Sequence, residues 1–249
     1  MKEKGLYGST LKWIAIVTML CDHVSAMVLM PYFGVHYSMF DFQGILHAPE
    51  EIRQITIACV AMRYIGRLAF PIFAYMIVEG FIHTRNRWRY GCRLGLFAII
   101  SEIPFDLGLH GDMWNIEKQN VFFTLFLGYC LCATLAAIEQ KALLKPRRLA
   151  LLEVAAMVAF ALGAIVLRTD YDATGVLLIM VLYLTRGHRL KQCLFGSLVI
   201  GFEITSIFSF VLLYFYNGLR GKQPKWLFYW FYPVHLVVLW GIRYTLMSA

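Results

Sequence analysis

A chain of 249 residues that is 60% hydrophobic and only 15% charged does not describe a soluble domain, because soluble proteins run near 45–50% apolar and about 25% charged. A small domain has too little interior to hide so much apolar surface, so these residues must face lipid. The net charge of +8 invites a nucleic-acid reading, but the basic residues fall in short clusters between apolar runs, as cytoplasmic loops of membrane proteins do.

At about 20 apolar residues per crossing, the chain has room for roughly eight to ten helices. The expected fold is an all-α, polytopic transmembrane bundle forming one domain. The first apolar run, from about Leu11 to Pro31, is long enough to span and lacks a small-residue cleavage pattern, so it is expected to be a transmembrane helix and not a cleaved leader. The segment after it is acidic, with Asp41, His47, Glu50 and Glu51. A long apolar stretch from about Ile52 to His83 is interrupted by Arg63, Gly66, Arg67 and Pro71, and is either one broken helix or two short ones. TRNRWRYGCR follows, the most basic segment, with Arg85, Arg87, Arg89 and Arg93.

Further helices are expected over about 94–109, 121–138, 149–167 and up to 185. The apolar run 193–216 carries Glu203 in its middle and is one helix or two short ones. A last helix is expected over about 226–247. Lys and Arg gather at the N-terminus and at 85–93, 141–148 and 186–191, which places these segments and the N-terminus in the cytoplasm of a multi-pass cell-membrane protein. The basic loop 217–225 joins them only if 193–216 crosses twice or dips and returns. The cysteines, Cys21, Cys59, Cys92, Cys130, Cys132 and Cys193, form no CxxC pair and are expected to be free thiols. No metal-ligand pattern and no nucleotide-binding loop is present.

A charge near the bilayer centre costs at least ~2.5–3.5 kcal/mol, so each one here needs a partner, water or a function. Asp22 and His23 sit past the middle of the first helix, and Lys12 and His23 share a face. Arg67 lies at mid-depth. Glu79 and His83 are one turn apart. Glu102 and Asp106 flank Pro104 on one face, where two like charges call for one to be protonated or to have a positive partner, with Arg67 and His23 the candidates. Asn120, Thr124 and Gly128 form a polar stripe. His235 follows Tyr232 and Pro233 in the last helix. Asp22, His23, Arg67, Asp106, Asn120 and His235 together suggest one polar chamber.

The strings LKWIAIVTMLCDH, GRLAFPIFAYMIVEGFIHTRN, ISEIPFD, QNVFFTLFLG and FYPVHL occur in this order, and in that order they resemble the TraX family of membrane proteins. The resemblance implies a membrane acetyltransferase, since the namesake is associated with N-terminal acetylation of F-type pilin. It implies acetyl-CoA as acyl donor and an intramembrane histidine at the centre. Carried onto the matching motifs, it puts His23 and Asp22 on the DH, Arg67 on the GR and Glu79 on the EGF. Glu102 and Asp106 fall on SEIPFD, Asn120 on the QN and His235 on the YPVHL.

On that implication His23, Asp22, Asp106 and Asn120 are the catalytic candidates, with Asn120 or Arg67 as oxyanion donor. Arg63, Arg67, Arg85, Arg89 and Glu79 are the donor-binding candidates, and Glu102, Thr124 and His235 complete the chamber. The partners expected are the bilayer, acetyl-CoA and an acyl acceptor (peptide amine, glycan or lipid), with no nucleic acid. A homo-oligomer is compatible with the pattern. The competing reading is a proton-coupled transporter that uses the same His, Asp, Glu and Arg residues as a relay. A non-catalytic membrane assembly factor is a third reading.

Overall fold

The computed structural model describes residues 5–35, 49–141, 145–224 and 226–248; Asp41 and His47 of the acidic segment lie outside them. Ten helices make up the described residues: α1 (Gly8–Phe33), α2 (Glu50–Gly66), α3 (Ala69–His83), α4 (Arg87–Leu109), α5 (Val121–Glu139), α6 (Pro146–Val166), α7 (Asp172–Leu184), α8 (Arg189–Val199), α9 (Ile207–Tyr214) and α10 (Leu227–Ser248). Extended pairing among them is confined to two isolated bridges, Leu6 with Tyr216 and Gln119 with Thr169. The all-α membrane bundle expected from composition is the fold. Four stretches are long and apolar enough to cross a membrane: Gly8–Phe33, Glu50–His83, Val121–Glu139 and Pro146–Val166.

The stretch 52–83 is a broken span. The break falls at Arg67 and Leu68, whose N–H groups bond Tyr64 O and Ile65 O at 3.3 Å in tightened turns. Pro71 is the third residue of α3, where an N–H has no intrahelical partner to lose, so it starts a helix and does not kink one. α1 is interrupted differently. A π-helical turn over Ser25–Leu29 begins one residue after Asp22-His23 and leads into Pro31, whose ring disfavours the ordinary i−4 geometry. The basic segment 87–93 is not a loop, as the sequence suggests, but the first two turns of α4. Asn86 caps that helix, its Oδ1 accepting from Arg89 N at 2.8 Å, and polar first turns are tolerated where a helix leaves the lipid.

α3 is the central helix, with Phe70, Ile72, Ala74, Tyr75, Val78 and Phe81 all buried. It packs against α1, α5, α7 and α9. α6 is peripheral, with Ala164 its one buried residue among 21, and it turns Leu151, Val154, Val158 and Leu162 outward. Close helix approach depends on glycine, as two crossings illustrate. A Cβ on Gly66 would lie 2.2 Å from Asp22 Cβ, and one on Gly128 would lie 2.3 Å from Ile179 Cδ1.

The run 193–216 does not cross. α8 and α9 form a hairpin whose two ends meet, Arg189 lying over the Tyr216 ring at 5.0 Å. Ser206 Oγ donates to Ile200 O at 3.0 Å across its tip. The tip inserts at the break between α2 and α3, where Thr205 Oγ1 donates to Tyr64 O at 2.7 Å. The segment after the hairpin returns to the chain start: Asn217 N donates to Leu6 O, Gly8 N to Leu219 O and Ser9 N to Arg220 O at 2.8–2.9 Å. The dip therefore brings the basic loop 217–224 to the same end of the bundle as the N-terminal residues. The described basic segments around 85–93, 186–191 and 217–224 meet there, while Gln119 N bonds Arg168 O at 2.9 Å at the opposite end.

Candidate functional site

At mid-depth, His23 of α1 meets His235 of α10. Nδ1 of His23 lies 2.6 Å from Nε2 of His235, and the rings are stacked at 4.9 Å between centroids. His235 Nδ1 lies 2.8 Å from Phe231 O, one turn back on the same helix. A carbonyl only accepts, so His235 Nδ1 carries a hydrogen. In the neutral pair His235 then accepts at Nε2, and His23 Nδ1 donates to it. His23 Nε2 is left with a free lone pair, the state a general base or nucleophile requires. His235 is buried, whereas His23 is half-buried.

Asp22 points away from this pair, as residues about 100° apart on a helix must. It accepts from Arg63 Nη1 of α2 at 2.6 Å. One turn further, Arg67 Nη1 donates to Glu203 of the hairpin tip at 3.0 Å. Tyr171, in the turn before α7, lies close to the same guanidinium. Nearby, Asp170 pairs with Lys118 at 2.8 Å. Two carboxylates and two arginines are thus matched around the α2–α3 break, which offsets the cost of holding them within the bundle.

The expected single chamber divides in two. Glu102 and Asp106 do not face Arg67 or His23, because Arg67 is engaged by Glu203. Glu102 instead accepts from both the backbone N–H and the side-chain amide of Asn120, and Asp106 Oδ2 accepts from Asn115 N at 2.8 Å. Asn120 is the N-cap of α5: its Oδ1 accepts from Phe122 N at 3.0 Å, and its amide also donates to Ala98 O at 2.8 Å. Both amide hydrogens and the oxygen are committed, so Asn120 has nothing to offer an oxyanion. Thr124 accepts from Tyr171 N at 3.4 Å, and the Asn120–Thr124–Gly128 stripe serves the packing of α5 against α7. Asn120→Ala is expected to cost about 1–2 kcal/mol through the lost cap, read as a lower melting temperature in detergent with ligand affinity unchanged.

A cavity of about 380 Å³ opens at the basic end. Lys12, Arg93 and Arg220 stand around it with Glu79 and His83, and Tyr232 lines its deep end. Lys12 lies over the Phe228 ring at 5.5 Å, so it faces α10, as His23 does. Glu79 is 3.6 Å from His83. Arg85 and Arg89 are exposed and do not line the cavity. Arg87 covers the Phe81 ring at 4.3 Å. Beyond the cavity, the Tyr232 ring stands edge-on to His23 at 6.1 Å and to His235 at 5.6 Å. Tyr232 and Arg220 are additions to the site, since sequence alone shows Tyr232 only as a neighbour of His235 and Arg220 only as part of a basic loop.

The TraX protein family model matches residues 7–243. The chain belongs to the TraX family. A relative from Dichelobacter nodosus, named probable fimbrial assembly protein FimC, serogroup H1, is 27% identical over 260 aligned residues, covering 92% of this chain and 92% of that protein. No solved structure matches the chain. In this TraX protein the motif strings fall on the elements just described: the DH on α1, the GR at the helix break, SEIPFD on α4, the QN at the α5 cap and YPVHL on α10.

Proposed function

We propose that this TraX protein is a membrane-embedded acyltransferase that moves the acetyl group of cytosolic acetyl-CoA to an amine or hydroxyl acceptor at or across the membrane. A fimbrial subunit is the first acceptor to test, given the name of the Dichelobacter relative. The observation that carries this reading is a cavity with a basic mouth whose lining residue Tyr232 stands against a histidine pair, with the outer nitrogen of that pair free. The basic end of the bundle faces the cytoplasm on this reading.

The donor fits the residues around the cavity. Lys12, Arg93 and Arg220 are suited to phosphate oxygens through charge-assisted bonds, while Met19, Phe73, Met76 and Leu125 give an apolar throat for an extended thiol arm. The volume lies within the ~300–1,000 Å³ of small-molecule sites, with the nucleotide part left at the mouth. At the deep end the acceptor nitrogen or oxygen attacks the acetyl carbonyl carbon. His23 Nε2 takes the acceptor's proton as the new bond forms. The carbon–sulfur bond breaks, and the proton returns to the leaving thiolate. His235 holds His23 in the tautomer this needs.

Calorimetry with acetyl-CoA on purified protein tests the donor site. Saturable binding is expected, weakened about tenfold or more by Lys12→Ala or Arg220→Ala, since a bond to a charged group contributes about 1.5–3 kcal/mol. Arg85→Ala, outside the cavity, is expected to leave it unchanged. Absence of binding at millimolar acetyl-CoA by folded protein, together with proton flux in vesicles that requires His23, would replace this reading with the transporter.

A further inference from the structure

We infer that the hydroxyl of Tyr232 is the oxyanion donor of the acyl-transfer step, an inference that rests on the acyltransferase reading. Transfer from a thioester places negative charge on the carbonyl oxygen as the acceptor attacks, and a preorganised donor aimed at that oxygen is usually the largest single contribution to rate. The polar groups nearest the histidine pair are otherwise engaged. Asn120 is consumed by its cap, Ala98 O and Glu102. Arg63 and Arg67 are held by Asp22 and Glu203.

Tyr232 differs from them in three ways. It lines the deep end of the cavity and is buried. Its ring is fixed on several sides, edge-on to Phe122 at 5.3 Å, to His23 at 6.1 Å and to His235 at 5.6 Å. Its hydroxyl lies beside the backbone N–H of Val121, the first residue of α5. An N–H beside that oxygen can meet only its lone pairs and leaves the hydroxyl hydrogen to be donated. The same N–H is one of the unsatisfied donors at a helix N-terminus, where partial positive charge favours a developing anion.

As the acceptor attacks, electron density moves onto the carbonyl oxygen, which accepts the Tyr232 O–H. It returns when the carbon–sulfur bond breaks, and the phenolic proton never leaves its oxygen. Tyr232 and His23 thus act on opposite partners of one step, the tyrosine on the acyl oxygen and the histidine on the acceptor's proton.

Thiol release from acetyl-CoA, with water as acceptor, by purified protein in liposomes is the test, paired with calorimetry of acetyl-CoA binding. Tyr232→Phe keeps the ring contacts and removes one oxygen. It is expected to lower kcat about 100-fold or more, with acetyl-CoA affinity within twofold of wild type. A kcat within threefold of wild type overturns the assignment. So does a loss shared equally between kcat and binding, the mark of a structural role. A failure of the acyltransferase reading looks different: wild-type protein then releases no more thiol than His23→Ala, and Tyr232 falls with it.

Discussion

His23→Ala is expected to lower acetyl transfer by about 10²–10⁴-fold, the contribution of a positioned proton acceptor, while leaving the melting temperature close to wild type. The hydrogen-bond chain is the reason. Phe231 O orients His235, His235 Nε2 orients His23, and the free nitrogen of His23 is where the chain ends. Removing that last member deletes the reacting group and little packing, because His23 is half-buried. His235→Phe is expected to give a smaller loss. The His23 ring survives there, but its tautomer and orientation are no longer set. Initial rates of thiol release, with unfolding curves on the same samples, separate the two substitutions. Equal losses for both would make the pair a single structural unit, and wild-type rates in His23→Ala would end the acyltransferase reading.

The parts of this site that sequence made legible are those whose cost is local. A DH inside an apolar helix, an arginine at mid-depth and a histidine in the last helix each stand out against the lipid they would face. Asn120 stands immediately before an apolar run, the ordinary position of an N-cap, so its structural role was readable too, though the polar stripe drew it toward chemistry. Pairing was not legible. His23 and His235 are 212 residues apart, and Arg67 and Glu203 are 136 apart; nothing within one helix states which charge another will meet. Sequence alone therefore points Arg67 toward the nearer acids Glu102 and Asp106.

The hairpin was hidden for a related reason. An apolar run of that length suits one crossing or two short arms equally well, and only the tip contacts decide. Tyr232 was masked by abundance, because tyrosine is common wherever helices meet a membrane interface. The basic run at 85–93 misled in the other direction. Its arginines signal an end of the bundle correctly, but Arg85 and Arg89 are exposed and lie outside the cavity, and only Arg93 of the run lines it, beside Lys12 and Arg220 from two other elements.

The hairpin tip carries the largest expected effect on stability. Glu203 is buried and has Arg67 as its cation, while Asp22 is occupied by Arg63. Glu203→Leu would leave Arg67 within the bundle without its carboxylate, and breaking a buried pair from one side costs about 3–5 kcal/mol. The double substitution Arg67→Leu, Glu203→Leu removes both charges and is expected to recover most of that loss, since an apolar pair avoids the desolvation that the ions incur. Thermal unfolding in detergent across this cycle reads the coupling directly. Hydrogen exchange at 200–207 should rise in the single variant more than elsewhere, because the tip then loses its ion pair to the break and keeps the uncharged bond from Thr205 to Tyr64 O. A Glu203→Leu protein as stable as wild type would mean that the tip is held by its apolar contacts alone. If instead only the single variant melts early, the ion pair is what fixes the hairpin against α2 and α3. The position of the loop 217–224 over the cavity mouth then depends on a charge buried at the far end of the same hairpin.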